Sequence, residues 1–226
     1  MLHYPCRWIM GRKSKKTAYE TILCGRFHYP AGAVTPRAGA LRPIPLPLPE
    51  RASRTLPDPK PATLHAVGNP ALLAGPLLGL LASRDCPGRI LLDTLELVPP
   101  WVRDGRVILS GFHSPLEQQV LRSVLRRNGC VVKILARGMQ EYHPPEQERA
   151  PLTNGTLLVV TAYPDRVRRT TRETALARNR LVLALASELL TPYIAPESGL
   201  ASLLTEWGNL SGTTAAPGGK SAITRL

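Results

Sequence analysis

Hydrophobic positions along the chain follow two regimes. Up to about residue 60, apolar residues are interleaved with proline, lysine and arginine; beyond it they come in compact apolar blocks separated by stretches of helical spacing. Gly75 to Ser83 (GPLLGLLAS) reads as a first buried strand, and Arg106 to Ser110 as a second. Cys130 to Ala136 (CVVKILA), Thr156 to Thr161 (TLLVVT) and Leu189 to Ala195 read as the third, fourth and fifth. Between them, residues 89–103 place Ile90, Leu91, Leu95, Val98 and Val102 near helical spacing, with Pro99-Pro100 interrupting the helix near its end. Residues 114–128 put Leu116, Val120, Leu121, Val124 and Leu125 on one helical face. A long loop holding Pro144, Pro145 and Pro151 precedes the fourth strand, Arg172 to Ser187 predicts a long helix, and Ser198 to Trp207 a closing one. Strands alternating with helices of this kind predict an α/β fold: a doubly wound, mostly parallel, Rossmann-like sheet with helices on both faces.

The length of 226 residues suits one such domain of about 150 residues with tails. The formal net charge of +13 suits an anionic partner, but it is unevenly placed. Residues 1–60 carry 11 Lys and Arg against 3 Asp and Glu, whereas residues 61–226 carry 18 against 13. Residues 1–60, with a cluster at Arg12, Lys13, Lys15 and Lys16 and the run LRPIPLPLP at 41–49, read as a basic, Pro-rich extension that is disordered or loosely docked. A basic arm contacting nucleic acid is the sharper alternative. Residues 61–210 form the expected domain, and residues 211–226 a flexible tail.

The four cysteines show no CxxC pair or zinc-like spacing, and Cys130 reads as a buried thiol, which favours a reducing cytoplasm. No apolar stretch approaches the roughly 18 residues of a membrane span. No metal or cofactor is expected.

The densest chemical signal is Arg106 to Glu117 (RVILSGFHSPLE), where a buried strand runs into a helix. Unpaired N–H groups at that helix start favour an anion, Ser110 and Ser114 add hydroxyls, and Gly111 allows a ligand close to the backbone. Ser114 and Glu117 also have the spacing of a capping box. His113 reads as a polar loop histidine, with general acid or base work lacking an assigned partner. In a doubly wound sheet, ligands bind outside the carboxyl ends of the strands, so the loops after each strand form one rim. Ser83-Arg84 offers a guanidinium fork for phosphate. Arg166, Arg168, Arg169 and Arg172 form the densest basic cluster, read either as a solvated run or as phosphate contacts. Within the long helix Arg178 and Arg180 project about 200° apart, so they cannot both face one ligand. Asn179 between them hints at a specific hydrogen bond. Ser198 reads as an N-cap, with Gly199 beside it. Phe112 and Tyr163 are the loop candidates for stacking a base. Gly219-Lys220-Ser221 is not a phosphate-binding P-loop, because Thr214 stands where its first glycine belongs and no strand precedes it.

Taken together, these motifs resemble the DprA/Smf DNA-processing family. Ala82-Ser83-Arg84, Ser110-Gly111, Arg178-Asn179-Arg180 and Ser198-Gly199-Leu200 keep the order of that family's Gly-Ser-Arg, Ser-Gly, Arg-Asn-Arg and Ser-Gly elements. The entry segment Leu64 to Asn69 and the Gly138, Tyr142, Pro144 loop are also similar, and the likeness spans about residues 56–208. The chain departs from the pattern at Ala82 and at Phe112 to Glu117, where the family continues Leu-Ala-x-Gly-Ile-Asp.

The resemblance implies a Rossmann-like core that binds single-stranded DNA without catalysis in recombination or natural transformation. RecA and a second copy of the chain are further candidate partners. It places Arg84, Ser110, Arg178 and Arg180 on the family's binding motifs. With the rim read from the residues themselves, the candidate DNA- or nucleotide-binding residues are Ser83, Arg84, Ser110, Gly111, Phe112, His113, Ser114, Arg168, Arg169, Arg178, Asn179, Arg180, Ser198 and Gly199. Two alternatives stay open. One is a sensor of a nucleotide ligand; the other is a phosphoribohydrolase-like enzyme, for which Pro196 to Leu200 lacks the glycine pair and threonine.

Overall fold

The protein is described here by a computed structural model covering residues 22–24, 27–29, 42–140, 142–211 and 223–226. Strands β1 (Ile22–Cys24) and β2 (Phe27–Tyr29) pair as a separate antiparallel ribbon. The main sheet has eight strands. They are β3 (Ile44–Pro47), β4 (Thr63–Gly68), β5 (Leu77–Leu80), β6 (Val107–Ser110), β7 (Cys130–Leu135), β8 (Leu157–Thr161), β9 (Glu188–Leu190) and β10 (Ile223–Arg225). Their order is β10-β9-β5-β6-β7-β8-β4-β3. The five central strands from β9 to β8 run parallel, as the alternation of strand and helix predicts. The strands added at both edges are antiparallel.

Successive side chains of the central strands point to opposite faces and nearly all are buried, so both faces carry a core. Leu77, Val107, Leu109, Val132 and Val160 face one layer with α1 (Glu50–Thr55), α6 (Arg172–Leu185) and α7 (Gly199–Ser211). Leu78, Ile108, Val131 and Val159 face the other, formed largely by α3 (Val98–Arg103) and α4 (Pro115–Arg126). The helix expected over 89–103 is split into α2 (Gly88–Glu96) and α3, with Leu97 at the break and Pro99-Pro100 in the first turn of α3. All five apolar residues predicted to face inward from α4 are buried.

Four expectations are corrected. Residues 44–55 are not a loose extension: β3 pairs with β4, and α1 buries Ala52 against the α6 layer. Prolines in the run 41–49 do not prevent this, because β3 is an edge strand and a missing N–H costs nothing on its unpaired side. At the C-terminus residues 223–226 are not free either, since β10 extends the sheet and Arg51 donates to Ser187 Oγ and the Leu226 carbonyl, both at 3.0 Å; residues 212–222 of the expected tail lie outside the described residues. The long loop before β8 contains α5 (Glu146–Thr153), with Pro151 inside it. Packing, not propensity, holds that helix: Leu152 is buried, and Glu148, 1% exposed, accepts from Lys133 Nζ at 2.6 Å and Tyr142 OH at 2.5 Å. Cys130 is buried but disulfide-bonded rather than a free thiol. Lys13, the remaining residues of the basic N-terminal cluster, and Gly219 to Ser221 lie outside the described residues.

Candidate functional site

The chain reverses direction across the sheet between β5 and β9. Strands β5, β6, β7 and β8 are laid down in one direction, after which α6 carries the chain back to the far side of β5. Such a switch point leaves a crevice at the carboxyl ends of the strands. A cleft of about 670 Å³ lies there, lined by the loops after β5, β6 and β9 and by the first turns of α6 and α7.

From the β5 loop come Ser83 and Arg84. Ser83 is spent on structure: its N–H donates to the Tyr193 carbonyl at 2.9 Å, and its Oγ accepts from the Ala195 N–H at 2.8 Å. These two bonds draw the chain after Leu190 out of the sheet ladder, which is why β9 ends there and not at Ala195 as the sequence predicts. Arg84 is exposed and lies 2.8 Å from His113 Nε2 through Nη2.

The β6–α4 turn departs most from expectation. Ser110 is fully buried and its Oγ accepts from the Phe112 N–H at 3.1 Å, so this hydroxyl does not face the cleft. Phe112 is buried in the α3–α4 core with φ of 50°, a left-handed conformation rare for a bulky residue, so it is no stacking platform. The capping box forms as predicted, with Ser114 Oγ accepting from Glu117 N–H.

Glu117, however, does more than close a box. It is 4% exposed; one carboxylate oxygen accepts from Ala82 N–H at 3.0 Å, the other from His113 N–H at 2.8 Å and Ser114 N–H at 3.3 Å. The N–H groups expected to cradle a phosphate are therefore already held by the protein's own carboxylate. Burial pushes the Glu117 carboxyl up, opposed by these hydrogen bonds and by Arg178. Its spacing to Ser114 was legible in the sequence; its bond to Ala82 across the sheet was not.

Arg178 and Arg180 divide as their helical separation requires. Arg178 is 8% exposed and lines the cleft, with Nε and Nη2 donating to Asn179 Oδ1 at 3.2 and 2.9 Å. This is the specific bond anticipated for Asn179. Burial lowers the Arg178 pKa from its ordinary value, and Glu117 opposes that shift. Gly111 serves Arg178 and not a ligand: a Cβ there would sit 2.4 Å from Arg178 Nε. Arg180 faces away from the cleft and pairs with Glu206 of α7 at 2.9 Å.

Arg168 and Arg169 are exposed in the loop before α6 and do not line the cleft. Arg172, from the same basic run, does, because Thr171 caps α6 and turns the next residue toward α7. Ser198 and Gly199 complete the far wall, with Ser198 Oγ accepting from Ala201 N–H at 3.1 Å. Tyr163 lies elsewhere, its OH donating to the Thr174 carbonyl at 3.3 Å.

Arg84, Arg172 and Arg178 thus share one cleft, and none forms a salt bridge among the described residues, whereas Arg106, Arg149 and Arg180 do. His113 beside them is held below its ordinary pKa by burial, then by Arg178 and Arg84. A neutral imidazole next to guanidinium groups that form no salt bridge is suited to receiving an anion. Among the described residues no three His, Cys, Asp or Glu side chains come together to hold a metal ion, and no helix is long and apolar enough to cross a membrane.

Comparison with known proteins follows the same line. The family model for DNA recombination-mediator protein A matches residues 48–206. The solved structure of DNA processing protein A from Helicobacter pylori, described for its single-stranded DNA binding mode, is similar with a TM-score of 0.63. It is 21% identical, and the match covers 76% of this chain and 79% of that one. DNA processing protein A from Streptococcus pneumoniae is similar with a TM-score of 0.62 at 20% identity, covering 74% of this chain and 60% of that one. At such identities the likeness establishes the fold. No curated protein matches the chain.

Proposed function

The chain belongs to the DNA recombination-mediator protein A family, a family of DNA processing, and we propose that it binds single-stranded DNA in the cleft at the β5–β9 switch point. The observation that carries this reading is the convergence of Arg84, Arg172 and Arg178 on one cleft with no salt bridge among the described residues, although Asp85 and the buried Glu117 also line it. Phosphodiester oxygens supply what these donors lack, and guanidinium forks accept them in pairs. Ser198 stands where its hydroxyl reaches a sugar or phosphate oxygen and the start of α7 adds backbone donors, whereas Ser114 is buried and committed to the cap of α4. Ser110 and Gly111 act behind this surface, and Ser83 and Asn179 in its wall, by positioning loops and Arg178. Phe112 is structural and Arg180 is committed to Glu206. The role is binding, without a catalytic step, in recombination of an incoming strand, with RecA as the expected recipient.

Fluorescence anisotropy of a labelled oligo(dT) across a salt series tests the reading. Three phosphate contacts predict a slope of about −2 in log K against log salt, and Arg84→Ala should reduce its magnitude by about 0.7. A salt-independent affinity, or a mononucleotide that binds while oligo(dT) does not, would replace strand binding with a nucleotide-sensing role.

A further inference from the structure

The charged cleft accounts for a sugar–phosphate backbone but leaves the bases unplaced, since no Phe, Tyr or Trp lines it. A second cleft of about 430 Å³ lies on the other side of Arg178, under the segment joining α1 to β4. Its walls are mainly apolar, with Pro57 and Pro59 on one side, Ile134 and Leu135 from the end of β7 on another, and Ala177 and Leu181 from α6. Tyr163 stands in it, and its charged border holds three cations, Lys60, Arg178 and Arg180, against one carboxylate, Asp58. Arg178 is the residue common to both clefts.

We propose that this second cleft receives a nucleobase of the same strand whose phosphates lie in the charged cleft, with Arg178 as the shared wall and Tyr163 as the aromatic surface. The inference rests on the reading of the charged cleft as a single-strand site. An apolar slot bordered by cations matches the chemistry of a base with phosphates on either side: the flat heterocycle leaves water, while its backbone stays with the guanidinium groups. Tyr163 keeps its OH on the Thr174 carbonyl, which fixes the ring without occupying its faces. The order of the two clefts also explains the division within Arg178-Asn179-Arg180. Arg178 closes the boundary, while Arg180, neutralised by Glu206, borders the second cleft without drawing a phosphate into it.

The test compares oligo(dT) with an abasic oligomer of equal length by fluorescence anisotropy, for the unaltered chain and for Ala177→Trp and Tyr163→Leu. Ala177 is on the exposed side of α6, so an indole there fills the slot from outside the core. The unaltered chain should prefer oligo(dT) by about tenfold, as expected for one stacked base. Ala177→Trp should bind both strands as the unaltered chain binds the abasic one, and Tyr163→Leu should lose part of the preference. Equal affinity of the unaltered chain for both strands, or a full preference in both variants, overturns the second cleft as a base site. Failure of the unaltered chain to bind either strand overturns the charged cleft as well. If Ala177→Trp lowers folding stability in urea, Tyr163→Leu decides alone.

Discussion

Two strand-to-helix turns border the charged cleft, and they dispose of their polar groups in opposite ways. Between β6 and α4, Ser110 Oγ is taken by Phe112 N–H, and Glu117 takes the N–H groups of Ala82, His113 and Ser114. Between β9 and α7, Ser198 Oγ takes Ala201 N–H, and the N–H groups of Gly199 and Leu200 carry no partner among the described residues. The first turn of α4 contains an acid and that of α7 does not. Both turns have a serine next to a glycine or a helix start, yet one is closed by the protein's own carboxylate and the other leaves its first N–H groups open. A Ser-Gly pair before a helix therefore does not by itself make a phosphate site. What matters is whether a carboxylate of the protein already occupies the helix start.

The contrast is broken most directly by Glu117→Ala. It leaves three N–H groups without their acceptor in a buried joint, and the free energy of unfolding in urea should fall by about 3 kcal/mol. A loss no larger than that of Ser198→Ala would erase the distinction between the turns. Gly111→Ala comes next, and acts on binding more than on stability. Its Cβ displaces the flexible end of Arg178, so affinity for oligo(dT) should drop about tenfold while folding is little changed. Unchanged affinity would mean that Arg178 does not hold the strand.

The open turn should respond weakly. Ser198→Ala should cost about 1 kcal/mol as a lost helix cap. Gly199→Ala should stay within roughly 0.5 kcal/mol, because its Cβ meets its nearest neighbour, Leu176, at an ordinary 3.6 Å. A larger loss at Gly199 would place that turn with the closed one.

The smallest effect is in pH. The folded protein holds His113 below its ordinary value of 6.5, so below that pH the unfolded chain takes up a proton that the fold refuses. Stability contributed by this residue is therefore present above 6.5 and declines as pH falls toward the lowered value. His113→Gln should flatten that part of a urea stability profile measured between about pH 7 and 5.5. Bound phosphates neutralise Arg84 and Arg178, so affinity for oligo(dT) should rise on acidification through the same window in the unaltered chain only.

Much of the architecture was legible because it is written in local periodicity. The core strands, the helices α4 and α6 and the Ser114–Glu117 box all rest on residues a few positions apart, where hydrophobic spacing and capping chemistry act directly. The edge strand β3 was illegible for a physical reason: its prolines are tolerated because no described strand pairs with its outer side. Helix α5 was hidden because burial of Glu148 and Leu152 outweighs a poor helical sequence. At the site, the separation of Arg178 from Arg180 follows from helix geometry alone, but which of them meets the cleft does not.

Local residue patterns were enough for a sheet of the doubly wound kind and for the four motifs near its carboxyl edge, three in loops and one, Arg178-Asn179-Arg180, within α6. Only the tertiary structure decided what each motif does there. Glu117 lies 35 positions from the Ala82 N–H it accepts, and Gly111 makes room for a guanidinium carried by a helix two strands later. Such pairings depend on how packed elements cross, and no short-range pattern of residue types encodes that crossing.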